Sequence, residues 1–488
     1  MSQYKKHSVT IIALFIMLFW CTTQFLWGER TPVRNGLGYD GAVFADITSN
    51  FDSLLFHKSA TEYFTGGIGS YQMSRILPCA IIHYTMKLFG IPFSATPMAN
   101  AWFVTNVLLY LLSIWIMGLI FSLKGFSQKV QVLGFILIFV NVGILKIYLY
   151  NPVFTDVWAL FSGVVALYFF IRQYRVALLL SSLVLGFAWP TTLYFAAPLL
   201  VLGTVPVQPS NSKMFPSLVV IGISAAIVLG IFYTSFIMKF ENPYGGEQYN
   251  EWLKVPSLIL VVAFLVLSIF PLVNFNLTKA IKASATKQNI FFGILVLIAF
   301  MVTKLFISHF QGYQGPHGMR GFLRNALIRS IIDPLVFLVA HIVYYGPLIF
   351  FLIFNYKSFV SRLHQNGLGL TVFFLMVLVL SINSESRQLI NVIPFVSLFV
   401  VEILKPDNWS NKQWLALIAT SILFSKIWLP VNLGTFKDNP LEFPDQLIDM
   451  NAGPWMIHSM YYVQGSIVLL TLGLFYFLFN KKSQAIHG

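Results

Sequence analysis

Apolar positions gather along the chain in unbroken blocks of about twenty residues, as at 8–27, 101–121, 290–308 and 335–354. Each block is long enough to cross the ~30 Å hydrocarbon core of a bilayer. Backbone polar groups inside lipid need partners within their own segment, so the blocks are expected to be helices. Strands of a membrane barrel would alternate apolar and polar positions, and these segments do not. The expected fold is all-α: a polytopic transmembrane helical bundle of about 12–14 spans, forming a single domain over 1–488. Spans are read at 8–27, 101–121, 130–150, 156–171, 176–189, 191–206, 215–238, 255–275, 290–308, 335–356, 367–382, 388–404, 413–430 and 463–480. The pair at 176–206 could instead be one broken or re-entrant element, because Pro190 makes a break there natural. The first block is too long for the apolar region of a cleavable signal, and no small-residue site follows Trp27, so it reads as an anchor.

Composition agrees. Of 488 residues, 57% are hydrophobic and 10% charged, with a mean hydropathy of +0.76. Soluble domains carry about a quarter charged residues. A net charge of +14 would suggest nucleic acid in a soluble protein, but here its distribution matters more. With the N-terminus placed inside by Lys5 and Lys6, the inner loops hold Lys124, Lys129, Arg172, Arg175, Lys213, Lys279, Lys282, Lys287, Lys357, Arg362, Lys405, Lys412, Lys481 and Lys482. Of 17 acidic residues, only Glu402 and Asp407 fall inside. That asymmetry is the positive-inside pattern, and it places both termini in the cytoplasm. Cys21 and Cys79 are too few for a disulfide framework or a metal cluster.

The first outer loop, 28–100, contains two amphipathic pieces, and 309–333 and 431–462 are further outer loops. In the first piece Phe44, Ile47, Phe51 and Leu55 recur at helical spacing, with Asp46 on the opposite, polar face. The second, 76–86, is apolar between Arg75 and Lys87. It would reach only about 17 Å, so it should lie in the interface rather than cross it.

Candidate chemistry concentrates on the outer face. Asp40 opens the first amphipathic piece between Gly38 and Gly41. It reads either as a cap on that helix or as a general base at the membrane surface. Asp156 stands at the mouth of an otherwise apolar span, after Asn151-Pro152, where an acid caps the helix or has a function. Loop 309–333 carries His317, Arg320, Arg324 and Arg329 against the positive-inside bias. Bidentate binding of a phosphate would account for those arginines, as would headgroup binding or pairing with outer acids. Glu385 and Arg387 form a pair at another outer mouth. The chain has no G-x-x-x-x-G-K-[ST], H-E-x-x-H, G-x-S-x-G or C-x-x-C motif and no convincing internal repeat.

Four short motifs resemble those of the GT-C-type polytopic membrane glycosyltransferases of bacterial envelopes. They are Tyr39-Asp40-Gly41 with Phe44, Arg75-Ile76-Leu77-Pro78, Asn151-Pro152 with Asp156, and Glu385-Ser386-Arg387 before Pro394-Phe395. The motifs span most of the chain in order. Phe44 stands where a tyrosine is common, and Trp189-Pro190-Thr191-Thr192 replaces residues that are often charged. The resemblance implies transfer of a hexosyl or pentosyl group from a polyprenyl-phosphate donor to a glycan, lipid or protein acceptor. It places the reaction at the outer face of a bacterial inner membrane, in assembly of a cell-envelope glycan such as lipopolysaccharide O-antigen. Asp40, with Asp46 as second candidate, would be the catalytic acid/base. Arg75, Asp156, His317, Arg320, Arg324, Glu385 and Arg387 would hold donor phosphate and substrate. No cofactor is certain, a divalent metal stays open, and the partners are lipid donor, membrane lipids and acceptor, with no nucleic acid. The leaving phosphate needs positive charge rather than a protonating acid, and one in-line displacement would invert the anomeric carbon. A transporter or flippase for a lipid-linked or small anionic substrate is the alternative, and a non-catalytic scaffold a third; both would sit less easily with polar residues gathered at one face.

Overall fold

The computed structural model describes residues 2–56, 61, 67–207, 214–240, 251–312, 319–432, 456 and 458–480. The apolar blocks are helices, and no strand forms among the described residues. Six helices are long and apolar enough to cross a membrane: His7–Trp27, Ala95–Leu123, Leu218–Ile237, Glu251–Val273, Lys287–Phe310 and His458–Phe479. Their outward sides carry large apolar groups, such as Ile290, Ile294, Leu297 and Met301 on one helix. The chain is a polytopic helical integral membrane protein.

The remaining apolar blocks are shorter or broken. Gln128–Phe139 and Gly143–Tyr150 meet at 62°. At that bend the Asn141 amide donates to Ile138 O (2.8 Å) and accepts from Ile144 N (3.0 Å), so the side chain satisfies backbone groups freed by the break. The block at 335–356 is two helices, Val336–Tyr345 and Pro347–Phe354, parted by Gly346 at φ +58°. The block at 388–404 begins as a 3₁₀ turn, Ser386–Leu389, and continues as Ile393–Leu404. The doubtful pair at 176–206 is the short helices Arg175–Gly186 and Thr191–Val201, broken at Pro190.

In the loop at 28–100, Tyr39–Ser49 buries Phe44 and Ile47 as their spacing predicts. The helix ends at Asn50, however, and a new short one, Phe51–Leu55, starts out of phase, so Leu54 is buried where the spacing predicts Leu55. The second piece is the 13-residue helix Ile76–Leu88. It is pinned to the first by Asp52, which accepts from Tyr84 OH (2.8 Å) and Lys87 Nζ (3.2 Å) and lies 3.4 Å from His83 Nε2.

The two acids that the charge pattern places inside meet cations at the end of the bundle away from these helices. Glu402 pairs with Lys124 (2.9 Å) and Arg362 (3.1 Å). Asp407 accepts from Ser127 Oγ (2.6 Å), and its carbonyl accepts from Lys129 (3.1 Å).

A charged cluster beneath the first outer loop

Glycine allows the first loop to settle on the bundle. A Cβ on Gly41 would stand 2.9 Å from Val153, and one on Gly38, at φ +77°, 2.4 Å from the Asn151 amide. Only hydrogen fits at either place. The facing loop is held in turn by Asn106, whose amide donates to Pro152 O (2.8 Å). A third close approach joins the helix Asp156–Ile171 to the segment after Arg387: a Cβ on Gly163 would lie 2.0 Å from Asn391 O. Three distant stretches of chain are thus brought to one place.

Arg387 stands at its centre. Its Nε donates to Glu385 Oε1 (2.6 Å), its Nη2 to Asp40 Oδ2 (3.3 Å), and its Nη1 lies 4.0 Å from Asp156 Oδ2. Glu385 also lies 3.8 Å from Arg329. The turn that carries this pair is fixed from behind. Ser386 bonds His341 Nδ1 through its hydroxyl (2.9 Å) and accepts from Tyr345 OH through its carbonyl (2.5 Å). Asn383 Oδ1 accepts from Glu385 N (3.1 Å). Burial pushes the Glu385 carboxyl up, but the neighbouring Arg387 and Arg329 outweigh it and hold the group below its ordinary value. Arg387 is likewise disfavoured by burial, yet Glu385, Asp156 and Asp40 raise it well above the ordinary guanidinium value.

Exposure grades through the cluster. The Asp40 side chain is 51% exposed, Arg387 21% and Asp156 1%. The Asp40 helix is capped at Gly38 with no side-chain bond, so the Asp40 carboxylate faces Arg387 rather than serving as the cap. Arg75 is buried, with its guanidinium carbon 4.5 Å from the Tyr71 ring centre and 4.3 Å from that of Trp189. Its Nε has no hydrogen-bond partner, and neither do Asp156 Oδ2, Asn151 Oδ1 or Thr155 Oγ1. Tyr71, between Arg75 and the acids, has its phenol pushed up chiefly by burial.

Of the sequence candidates, Asp40, Arg75, Asp156, Glu385 and Arg387 come together. Asp46 does not join them. It bonds Asn50 (3.0 Å) and Thr61 and faces a cleft of about 440 Å³ beside Ser94 and Arg34. Arg324 stacks on Phe240 (4.8 Å) away from these five charges. Arg320 lies in the helix Met319–Arg329 with its side chain outside the described set, and His317 lies outside the described residues. Several residues of the cluster were not singled out from sequence. Trp189 was noted only as a departure from the family pattern, yet it forms one wall, and Thr191 beside it accepts from Asn391 (3.0 Å). Nothing local in sequence points to His341. No three His, Cys, Asp or Glu side chains converge as a metal site among the described residues; the three carboxylates here surround a guanidinium.

No family model matches the chain, and no curated protein matches. Among solved structures it is similar to the archaeal oligosaccharyltransferase AglB from Archaeoglobus fulgidus, in complex with an inhibitory peptide and a dolichol-phosphate. The TM-score is 0.43 and the identity 13%, over 88% of this chain and 55% of that one. The chain thus spans little more than half the length of that protein.

Proposed function

We propose that the chain is a glycosyltransferase that moves a sugar from a polyprenyl-phosphate donor to a hydroxyl acceptor at the outer face of the membrane. The observation that carries this reading is the convergence of the four motif groups, Asp40, Arg75, Asp156 and Glu385–Arg387, from stretches up to 347 residues apart. Asp40, the exposed carboxylate, is the base that takes the acceptor's proton. Its contact with Arg387 (3.3 Å) aims it. Arg75, stacked on two rings and without a carboxylate partner among the described residues, receives the donor phosphate. Arg387 positions the carboxylates, because its own donors already serve Glu385 and Asp40. Asp156 and Glu385 balance the cations and leave the site near neutral until a phosphate enters. The residues surrounding Arg387 do not suit a bound metal, since the guanidinium already supplies the positive charge to all three carboxylates. Purified protein supplied with a panel of polyprenyl-phosphate sugars and a hydroxylated acceptor should release polyprenyl phosphate. A panel that yields no Asp40-dependent release with any donor would remove the reading.

A further inference from the structure

A second cavity, of about 310 Å³, opens at the end of the bundle away from Asp40, where the turn before Arg175–Gly186 meets the end of Thr191–Val201 and the start of Lys287–Phe310. Its polar lining is Gln173, Arg175, Thr204, Thr286, Gln288 and Asn289, and no acidic residue lines it. Arg175 is half-buried there. One Nη2 donates to Leu200 O and to Asn289 Oδ1 (2.8 Å), and the guanidinium lies 4.2 Å from the Phe292 ring centre. These contacts fix the plane but supply no negative charge, and the buried Nε has no partner. Among the described residues no carboxylate pairs with Arg175. Through Asn289 it meets the first turn of a 24-residue helix, whose N-cap Thr286 accepts from Asn289 N (3.2 Å). The helix dipole and the first-turn N–H groups that this cap leaves over favour an anion. An oriented, uncompensated guanidinium, a helix start and five neutral polar side chains around one cavity make a receptor for a tetrahedral anion. The volume is about ten times the share of one water molecule, room for a phosphate and its substituent.

We propose that this cavity binds a phosphate group, supplied by an anionic phospholipid of the surrounding leaflet. Its other wall is apolar, with Phe169 and Leu199. The helix that borders it turns Ile290, Phe291 and Ile294 outward to the lipid. A headgroup can therefore enter while its acyl chains stay on that surface. Inorganic phosphate shares the recognised chemistry, so the test must separate the two sources.

Delipidated full-length protein in neutral detergent is titrated with a short-chain phosphatidylglycerol, with and without millimolar inorganic phosphate, and binding is read by native mass spectrometry. Two variants accompany it. Arg175→Gln removes the charge. Gln288→Glu keeps every bond of Arg175, and it places an acid in the first helical turn, where it favours folding while repelling an anion. Each variant is expected to bind about tenfold more weakly. Competition by phosphate would assign the site to the free ion; lack of competition would assign it to the lipid. If Arg175→Gln fails to fold, Gln288→Glu decides alone. Parent-like binding in a folded Gln288→Glu protein overturns the proposal.

Discussion

The guanidinium of Arg75 lies between two aromatic faces, 4.3 Å from Trp189 and 4.5 Å from Tyr71. Stacking of this kind needs a planar cation, and lysine is a poor substitute. Arg75→Lys should therefore raise the donor KM about tenfold with little change in melting temperature. Trp189→Phe should keep most of the affinity and Trp189→Ala lose it. Steady-state kinetics with a polyprenyl-phosphate sugar would read the split; an unchanged KM in both Arg75→Lys and Trp189→Ala would remove Arg75 from donor binding.

Asp40→Asn should leave the fold intact, because the helix start at Gly38 does not use the carboxylate. Turnover should fall by about two to four orders of magnitude if the group is a general base. Asp46→Asn, whose carboxylate faces a different cleft, should lose much less. Single-turnover assays on both purified variants decide, and a fully active Asp40→Asn protein would end the assignment.

Arg387→Ala should be destabilising as well as inactive. An arginine on an outer loop is expected from sequence alone to add little to packing, but this one separates three carboxylates and is largely buried. Removing one partner of a buried charge network costs about 3–5 kcal/mol. Thermal unfolding in detergent should show a clear drop, and restoring neutrality with Glu385→Gln in the same protein should recover part of it. A parent-like melting curve for Arg387→Ala would contradict the geometry.

Glu385 yields a pH signature. Its folded-state carboxyl is held below the ordinary value of 4.5, so its ionised form stabilises the fold at neutral pH. That contribution is present above the unfolded value and is lost as pH falls through the lower, folded one. The melting temperature should drop as the medium is acidified below about pH 4.5, and the Glu385→Gln protein should show a shallower acid limb over that window.

Chelation should leave the reaction unchanged. The three carboxylates face Arg387 rather than an open centre, so turnover measured with and without EDTA should agree; a loss restored by added divalent cation would show that a metal enters the mechanism.

Helical class and much of the candidate cluster were legible in the chain itself. Phe44 and Ile47 fall on the buried face that their spacing predicts, and the 13-residue Ile76–Leu88 helix is too short to span, as its length implies. Phase was lost at Asn50, where a local break moves burial from Leu55 to Leu54. Periodicity assumes an unbroken helix and cannot see such a break. Which arginine meets which acid was also hidden. Arg324 and Arg387 look alike in sequence, and only the Gly163–Asn391 and Gly41–Val153 contacts bring one of them to Asp40 and Asp156.

The helix that begins at Asp156 has 16 residues and so rises at most about 24 Å, less than the ~30 Å of hydrocarbon. Its far end is marked by Arg172, which donates to Tyr174 OH (2.7 Å), a basic and aromatic pair of the kind that sits at a membrane–water boundary. A span this short is accommodated by thinning of the bilayer around it.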